Sequence, residues 1–177
     1  MASPIAHSLA GINILALCFP DRLKYLPMLI LSMFVATLPD FDLIVSGITH
    51  RTIMHSITFS VAISMSLFIW LKIKASPLYL VIPSLFFFGI VSHIIMDWFS
   101  LDLSEPAGLV IGWPWNMEYQ ISDQTIFLNL HRNDFFEPAI IAHNAKALLR
   151  ESIIMLPVTL LILFCRRSYF HTGFRCS

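Results

Sequence analysis

The chain has 177 residues, of which 57% are hydrophobic and only 12% charged, with a formal net charge of zero; its mean hydropathy is +0.77. A soluble domain carries about 25% charged residues, and a soluble chain this apolar would expose aggregating patches. The composition therefore excludes an ordinary soluble domain, and the balanced charge gives no pull toward nucleic acid.

Five apolar stretches follow in chain order: Ile5–Phe19, Leu26–Leu38, Ile57–Leu71, Leu78–Met96 and Ile153–Cys165. A full crossing needs roughly 20 apolar residues, with about 17 as a lower end. The fourth meets that comfortably and is the longest; the others must borrow flanking residues or tilt. The first two could instead form one re-entrant hairpin. The expected fold is all-α: a multi-spanning membrane protein of about five transmembrane or re-entrant helices in a single integral membrane domain, 1–177. A partly helical external segment, 97–152, separates spans four and five. Within it, Gly108–Asn116 reads as a turn-rich loop. Asp134–Arg150 reads as a helix on or entering the membrane, with Pro138 suited to its first turn.

The charges orient this array. If all five stretches cross, one face holds Arg22, Lys24, Lys72, Lys74, Arg166, Arg167 and Arg175, and the other only Arg51, Arg132, Lys146 and Arg150. Lys and Arg close to helix ends mark the cytoplasmic side, so the N-terminus is expected outside and the C-terminus inside. Cys18, Cys165 and Cys176 then lie toward the reducing side, which suits an odd number without metal-type spacing. The first residues lack the basic region of a cleavable signal, so Met1 is taken as part of the mature protein.

Ionisable residues beside apolar helices are costly and usually serve function. His7 lies at the outer end of the first stretch, and Asp40 and Asp42 close the second in Leu38-Pro-Asp-Phe-Asp42. His50, Arg51, His55 and Ser56 open the third, while His93 and Asp97 close the fourth. The crossing pattern puts all of them on one face. His93 and Asp97, at i and i+4, share a helix stripe. Asp40 and Asp42 flank Phe41 in a short turn and point the same way only if the backbone is extended. His50 and His55 converge only if His50 is in the loop and His55 in the helix, which Thr49 or Thr52 could cap. Singly, each has an ordinary interfacial explanation. Together, neutral imidazoles and carboxylates from four segment ends suit zinc or a similar divalent ion, one or two in number. The expected ligands are His7, Asp40, His50, His55, His93 and Asp97. Asp42 is expected to orient a ligand or act as general base, and Arg51 to bind an anionic group. His131, Asp134, Glu137 and His143 share the face without a common stripe. Trp113 and Trp115 are candidates for a pocket wall.

His7, Pro39-Asp40-Phe41-Asp42, His50-Arg51…His55-Ser56 and Ser92-His93…Asp97 together resemble the bacterial membrane-bound metal-dependent hydrolase family. That family is marked by an N-terminal His and by PDxD, HRxxxHS and SHxxxD elements. The likeness covers about the first hundred residues and extends to Gly112-Trp-Pro-Trp115. It implies a hydrolase of the bacterial inner membrane. A fainter similarity to zinc-dependent phospholipase C ligand sets suggests phosphoester chemistry. The expected activity is hydrolysis of a lipid or lipid-linked (phospho)ester at the external, periplasmic face. The rival is a non-enzymatic metal-binding or metal-translocating membrane protein; a third reading makes the cluster a structural clip.

Overall fold

The computed structural model describes residues 1–43, 50–103, 105–131 and 136–167. Within them the chain forms five α-helices: α1 (Pro4–Cys18), α2 (Leu26–Thr37), α3 (Ile57–Ile73), α4 (Val81–Trp98) and α5 (Pro138–Arg166). The all-helical membrane fold expected from hydropathy is what forms. Three segments are long and apolar enough to cross a bilayer: Leu26–Leu43, Val81–Trp98 and Pro138–Arg166, with α1 and α3 shorter.

Two readings of the apolar runs need correction. The fourth helix is neither the longest nor the only one of full span length. The expected surface helix and fifth span are one continuous helix of 29 residues. At about 1.5 Å per residue that rod is about 43 Å long, against a hydrocarbon core of roughly 30 Å. Asn144, Lys146, Arg150 and Glu151 interrupt the apolar run without breaking the helix, because Ala, Leu, Lys, Arg and Glu are all good helix formers. Pro138 does take the first turn.

The centre of the bundle is α1 and α4. The first packs on α2, α4 and α5; the second packs on α1, α2 and α3. Small residues allow this. A Cβ on Gly11 of α1 would lie 2.2 Å from the Ser32 carbonyl oxygen of α2, and one on Gly89 of α4 would lie 2.9 Å from Val35 Cγ1. Lipid offers helices no hydrophobic drive to associate, so close backbone approach and dispersion must hold them. Leu15, Val35, Leu85 and Ile90 fill the remaining interior.

The connection from α4 to α5 folds back over one end of the bundle. Leu101 N–H donates to Phe127 O at 2.9 Å, and Leu109 and Gln120 pair through their backbones. Val110 N–H reaches Arg51 O at 3.0 Å, and Ile57 N–H reaches Ile111 O at 3.1 Å, stitching the connection to the start of α3. Trp115, a candidate for a pocket wall, is 83% exposed. Asp134, Thr49, Ser104 and Cys176 lie outside the described residues.

Candidate metal centre

The start of α1, the segment after α2, the segment before α3 and the end of α4 bring polar side chains to one end of the bundle. Ser3 caps α1, its hydroxyl accepting from Ala6 N–H, and Pro4 occupies the first turn. His7 therefore sits one turn in, fully buried. Pro39 has no N–H to continue the ladder of α2, and the chain tightens into a 3-10 segment, Leu38–Leu43. Asp40 and Asp42 thus lie on a tight helix, not an extended turn, and their carboxylates diverge. A second 3-10 segment, Ile53–His55, delivers His55 immediately before α3. The cap of α3 is Ser56, which accepts from Phe59 N–H; Thr52, expected for that role, makes no such bond.

Asp40, His55, His93 and Asp97 each present one donor atom, all within 4.8 Å of one another. His93 Nε2 stands 3.2 Å from His55 Nε2 and 3.3 Å from Asp97 Oδ2. Asp97 Oδ2 is 3.8 Å from His55 Nε2, and Asp40 Oδ1 is 3.9 Å from His93 Nε2. Four donors bonded tetrahedrally to zinc at about 2.0–2.2 Å are separated by roughly 3.3–3.6 Å. The observed spacings bracket that value.

Tautomers sharpen the fit. His93 Nδ1 faces the Ala36 carbonyl oxygen at 2.8 Å, and a carbonyl can only accept, so Nδ1 carries the hydrogen. His55 Nδ1 lies 3.1 Å from Asp42 Oδ2, close enough for the carboxylate to favour a hydrogen on that nitrogen, without the alignment of a hydrogen bond. Burial lowers the His55 pKa, favouring the neutral ring. With both rings neutral and protonated on Nδ1, both Nε2 atoms present lone pairs to the same point, opposite the buried Asp97 Oδ2, which has no hydrogen-bond partner among the described residues. In that state three electron-rich atoms converge with no proton between them. A cation there satisfies all three, so the residues present fit a divalent metal.

The other expected residues surround this group. His7 stacks on the His93 ring with centroids 3.8 Å apart, and its Nε2 lies 3.4 Å from Asp97 Oδ1, the oxygen turned away from the four donors. His50 gives Nδ1 to Asp42 Oδ1 at 2.5 Å, while its Nε2 lies 3.1 Å from Met1 Sδ. Thus His7 and His50, expected as ligands, stand outside the four-donor group because their nitrogens face Asp97 Oδ1, Asp42 and Met1. Asp42 is buried between His50 and His55 and also accepts from Arg51 N–H at 3.0 Å. Arg51 pairs with Asp102, so the guanidinium expected to take an anion already has one. Its φ of 67° is the left-handed conformation, uncommon for a residue with a side chain.

His131 and His143 pack edge to face at 4.7 Å, and His143 Nε2 bonds the Asn129 carbonyl oxygen at 3.0 Å. They lie apart from the four donors, as does Glu137 at the N-cap of α5. Sequence reasoning missed the Ala36 carbonyl, Asp102, Glu151 and the first three residues. Glu151 and Asp102 carried the only available signal, as carboxylates within or beside apolar runs.

No curated protein and no solved structure matches the chain. A family model described as YdjM inner membrane protein matches residues 1–172. The match spans nearly the whole chain, which therefore belongs to the YdjM inner membrane protein family.

Proposed function

We propose that this protein is a metal-dependent hydrolase of the inner membrane, with zinc the expected ion and a lipid or lipid-linked (phospho)ester the substrate class. The observation that carries the metal is the pair of His Nε2 atoms 3.2 Å apart, with His93 Nδ1 bonded to the Ala36 carbonyl oxygen and His55 Nδ1 beside the Asp42 carboxylate. Such acceptors set ring orientation and raise ligand basicity at metal sites. His55, His93 and Asp97 have side chains with no exposure, whereas the Asp40 side chain is 12% exposed. Asp40 is thus the least enclosed of the four side chains, although its carboxylate oxygens are themselves buried, and we infer the approach of substrate on its side. A divalent ion bound there would act as a Lewis acid and lower the pKa of a water it holds toward about 7. Asp42 orients His55, and Asp97 spans the donor group and His7. The hydrolytic step draws on the resemblance of the His and Asp motifs to membrane-bound metal-dependent hydrolases. The substrate class is inferred from the place of the site at the helix ends, where the headgroups of a bilayer around these spans would lie.

A non-enzymatic metal-binding role draws on the fourth donor: four protein ligands close a structural zinc site, while catalytic sites keep one position open. Translocation is less well supported, because transport ligands gather near the midplane on broken helices. Metal analysis of the purified full chain, followed by turnover assays on phospholipids and soluble phosphoesters, separates these readings. Bound zinc with turnover supports the hydrolase; bound zinc without turnover, and unfolding on chelation, supports a structural clip.

The site is proposed to face the periplasm, on the Lys/Arg asymmetry. In intact cells, an impermeant thiol reagent is expected to label Ser104→Cys and to miss Cys176, with Cys18 and Cys165 replaced by Ser. The opposite labelling inverts the orientation.

A further inference from the structure

Glu151 lies in α5, is buried, and takes no part in the four-donor group. A buried carboxylate on a membrane helix is expensive and needs satisfying partners. Its partners are unusual for their distance in sequence. Ser3 N–H donates to Glu151 Oε1 at 2.8 Å, and the Ser3 hydroxyl donates to Glu151 Oε2. The same hydroxyl accepts from Ala6 N–H at 3.2 Å, fixing the start of α1. The neighbouring Ala2 N–H donates to Asp97 Oδ1 at 2.9 Å. His7, one turn into α1, stacks on His93 and faces that same Asp97 oxygen. Ser3, Ala2 and His7 thus form a strap from Glu151 to the back of Asp97, whose Oδ2 faces His55 and His93.

We propose that Glu151 is a positioning residue that latches the N-terminal strap over the metal centre and, through Ala2 and His7, sets the orientation of Asp97. This rests on the metal reading given above. A Glu at this position makes a two-pronged acceptor, able to hold a backbone N–H and a hydroxyl together. Leu would fill the same space and suit a membrane helix, yet would leave Ser3 N–H buried without an acceptor, a loss that favours release of the strap. Gln keeps the carbonyl acceptor for Ser3 N–H, and its amide can donate to the Ser3 hydroxyl.

The test uses the full chain in detergent, with Cys18, Cys165 and Cys176 replaced by Ser. Zinc affinity is measured by chelator competition, and Co²⁺ in the site reports ligand geometry through its visible spectrum. Glu151→Leu is expected to weaken zinc binding about 10–100-fold, the usual effect of losing an outer partner of a metal ligand, and to alter the Co²⁺ spectrum. Glu151→Gln is expected to stay within about threefold of wild type, since it keeps the acceptor for Ser3 N–H and bonds the Ser3 hydroxyl in the reverse direction. In parallel, Ala2→Cys should react slowly with a thiol reagent beside Glu151 and faster beside Leu at that position. Zinc affinity and spectrum unchanged in Glu151→Leu would overturn the positioning role; unchanged labelling would overturn the latch. If wild type binds no zinc, the metal reading falls and the positioning role with it, while the labelling comparison still decides the latch alone.

Discussion

The helices α4 and α5 are both apolar and long enough to cross a bilayer, yet 50% of the α4 span is buried against 11% of the α5 span. Their ionisable residues differ in the same way. His93 and Asp97 of α4 meet partners from α1, from the 3-10 segment after α2 and from the one before α3. α5 packs mainly on α1, and through its buried Glu151 it holds Ser3. A central helix can converge several chain segments on one point; a peripheral helix turns most of its surface to lipid and can anchor only what lies along its single contact. Side chains at the buried end of α4 should therefore govern function, and those on the outer face of α5 should govern almost nothing.

The largest expected effect is His93→Ala. It removes the imidazole whose Nε2 is nearest to the other buried donors, and with it direct coordination. Metal content of the purified protein, measured by mass spectrometry, should fall from the wild-type value to background, and any turnover with it. Full metal in this variant would mean that the ion, if bound, lies elsewhere.

Asp42→Asn should act more gently. Asn keeps one carbonyl acceptor but cannot serve His50, His55 and the Arg51 N–H together as a carboxylate does. Metal should be retained at saturating zinc, with affinity lower by about 10–100-fold. Activity should also fall, by about 10²–10⁴-fold if Asp42 serves as general base. Complete loss of metal at saturating zinc would instead make Asp42 a ligand.

The hydropathy pattern disclosed the five helical regions, and charged residues beside them pointed to the helix ends that meet. Other features were illegible for identifiable reasons. The fusion of the last two segments was hidden because an apolar-run criterion stops at Lys146 and Arg150, where helix propensity does not. The 3-10 geometry at Asp40 and Asp42 depends on the missing N–H of Pro39, a local signal that an extended reading passed over. The contacts of Ala2 with Asp97 and of Ser3 with Glu151 span 95 and 148 residues, and no periodicity reports pairs so distant. Arg51 looked free for an anion because Asp102 lies on a connection whose path over the site carries no hydropathy signature.

Packing in the middle of the bundle gives a smaller effect. Gly11→Ala places a Cβ against the Ser32 carbonyl, a backbone atom of an adjoining helix that cannot rotate away. Overpacking of this kind costs about 1–3 kcal/mol, partly offset by the roughly 1 kcal/mol by which Ala exceeds Gly in helix propensity. The thermal midpoint should drop. A rise would show that α1 and α2 can separate without loss.

Leu160→Ala completes the comparison from the other side. Leu160 lies on the outer face of α5 and is 64% exposed, so in a bilayer its neighbours are acyl chains. Exchanging it for Ala trades side chain–lipid contact for lipid–lipid contact and opens no cavity inside the protein. Ala also has the highest helix propensity. The change in stability should stay within about 0.5 kcal/mol, as for substitutions away from packed or polar features. Zinc affinity should equal that of wild type. Thermal unfolding and chelator competition on the same preparation measure both. A stability loss comparable to that of Gly11→Ala would mean that this face of α5 is covered by protein, most simply by a second copy of the chain. The proposed division between a convergent α4 and a lipid-facing α5 would then hold for the monomer alone.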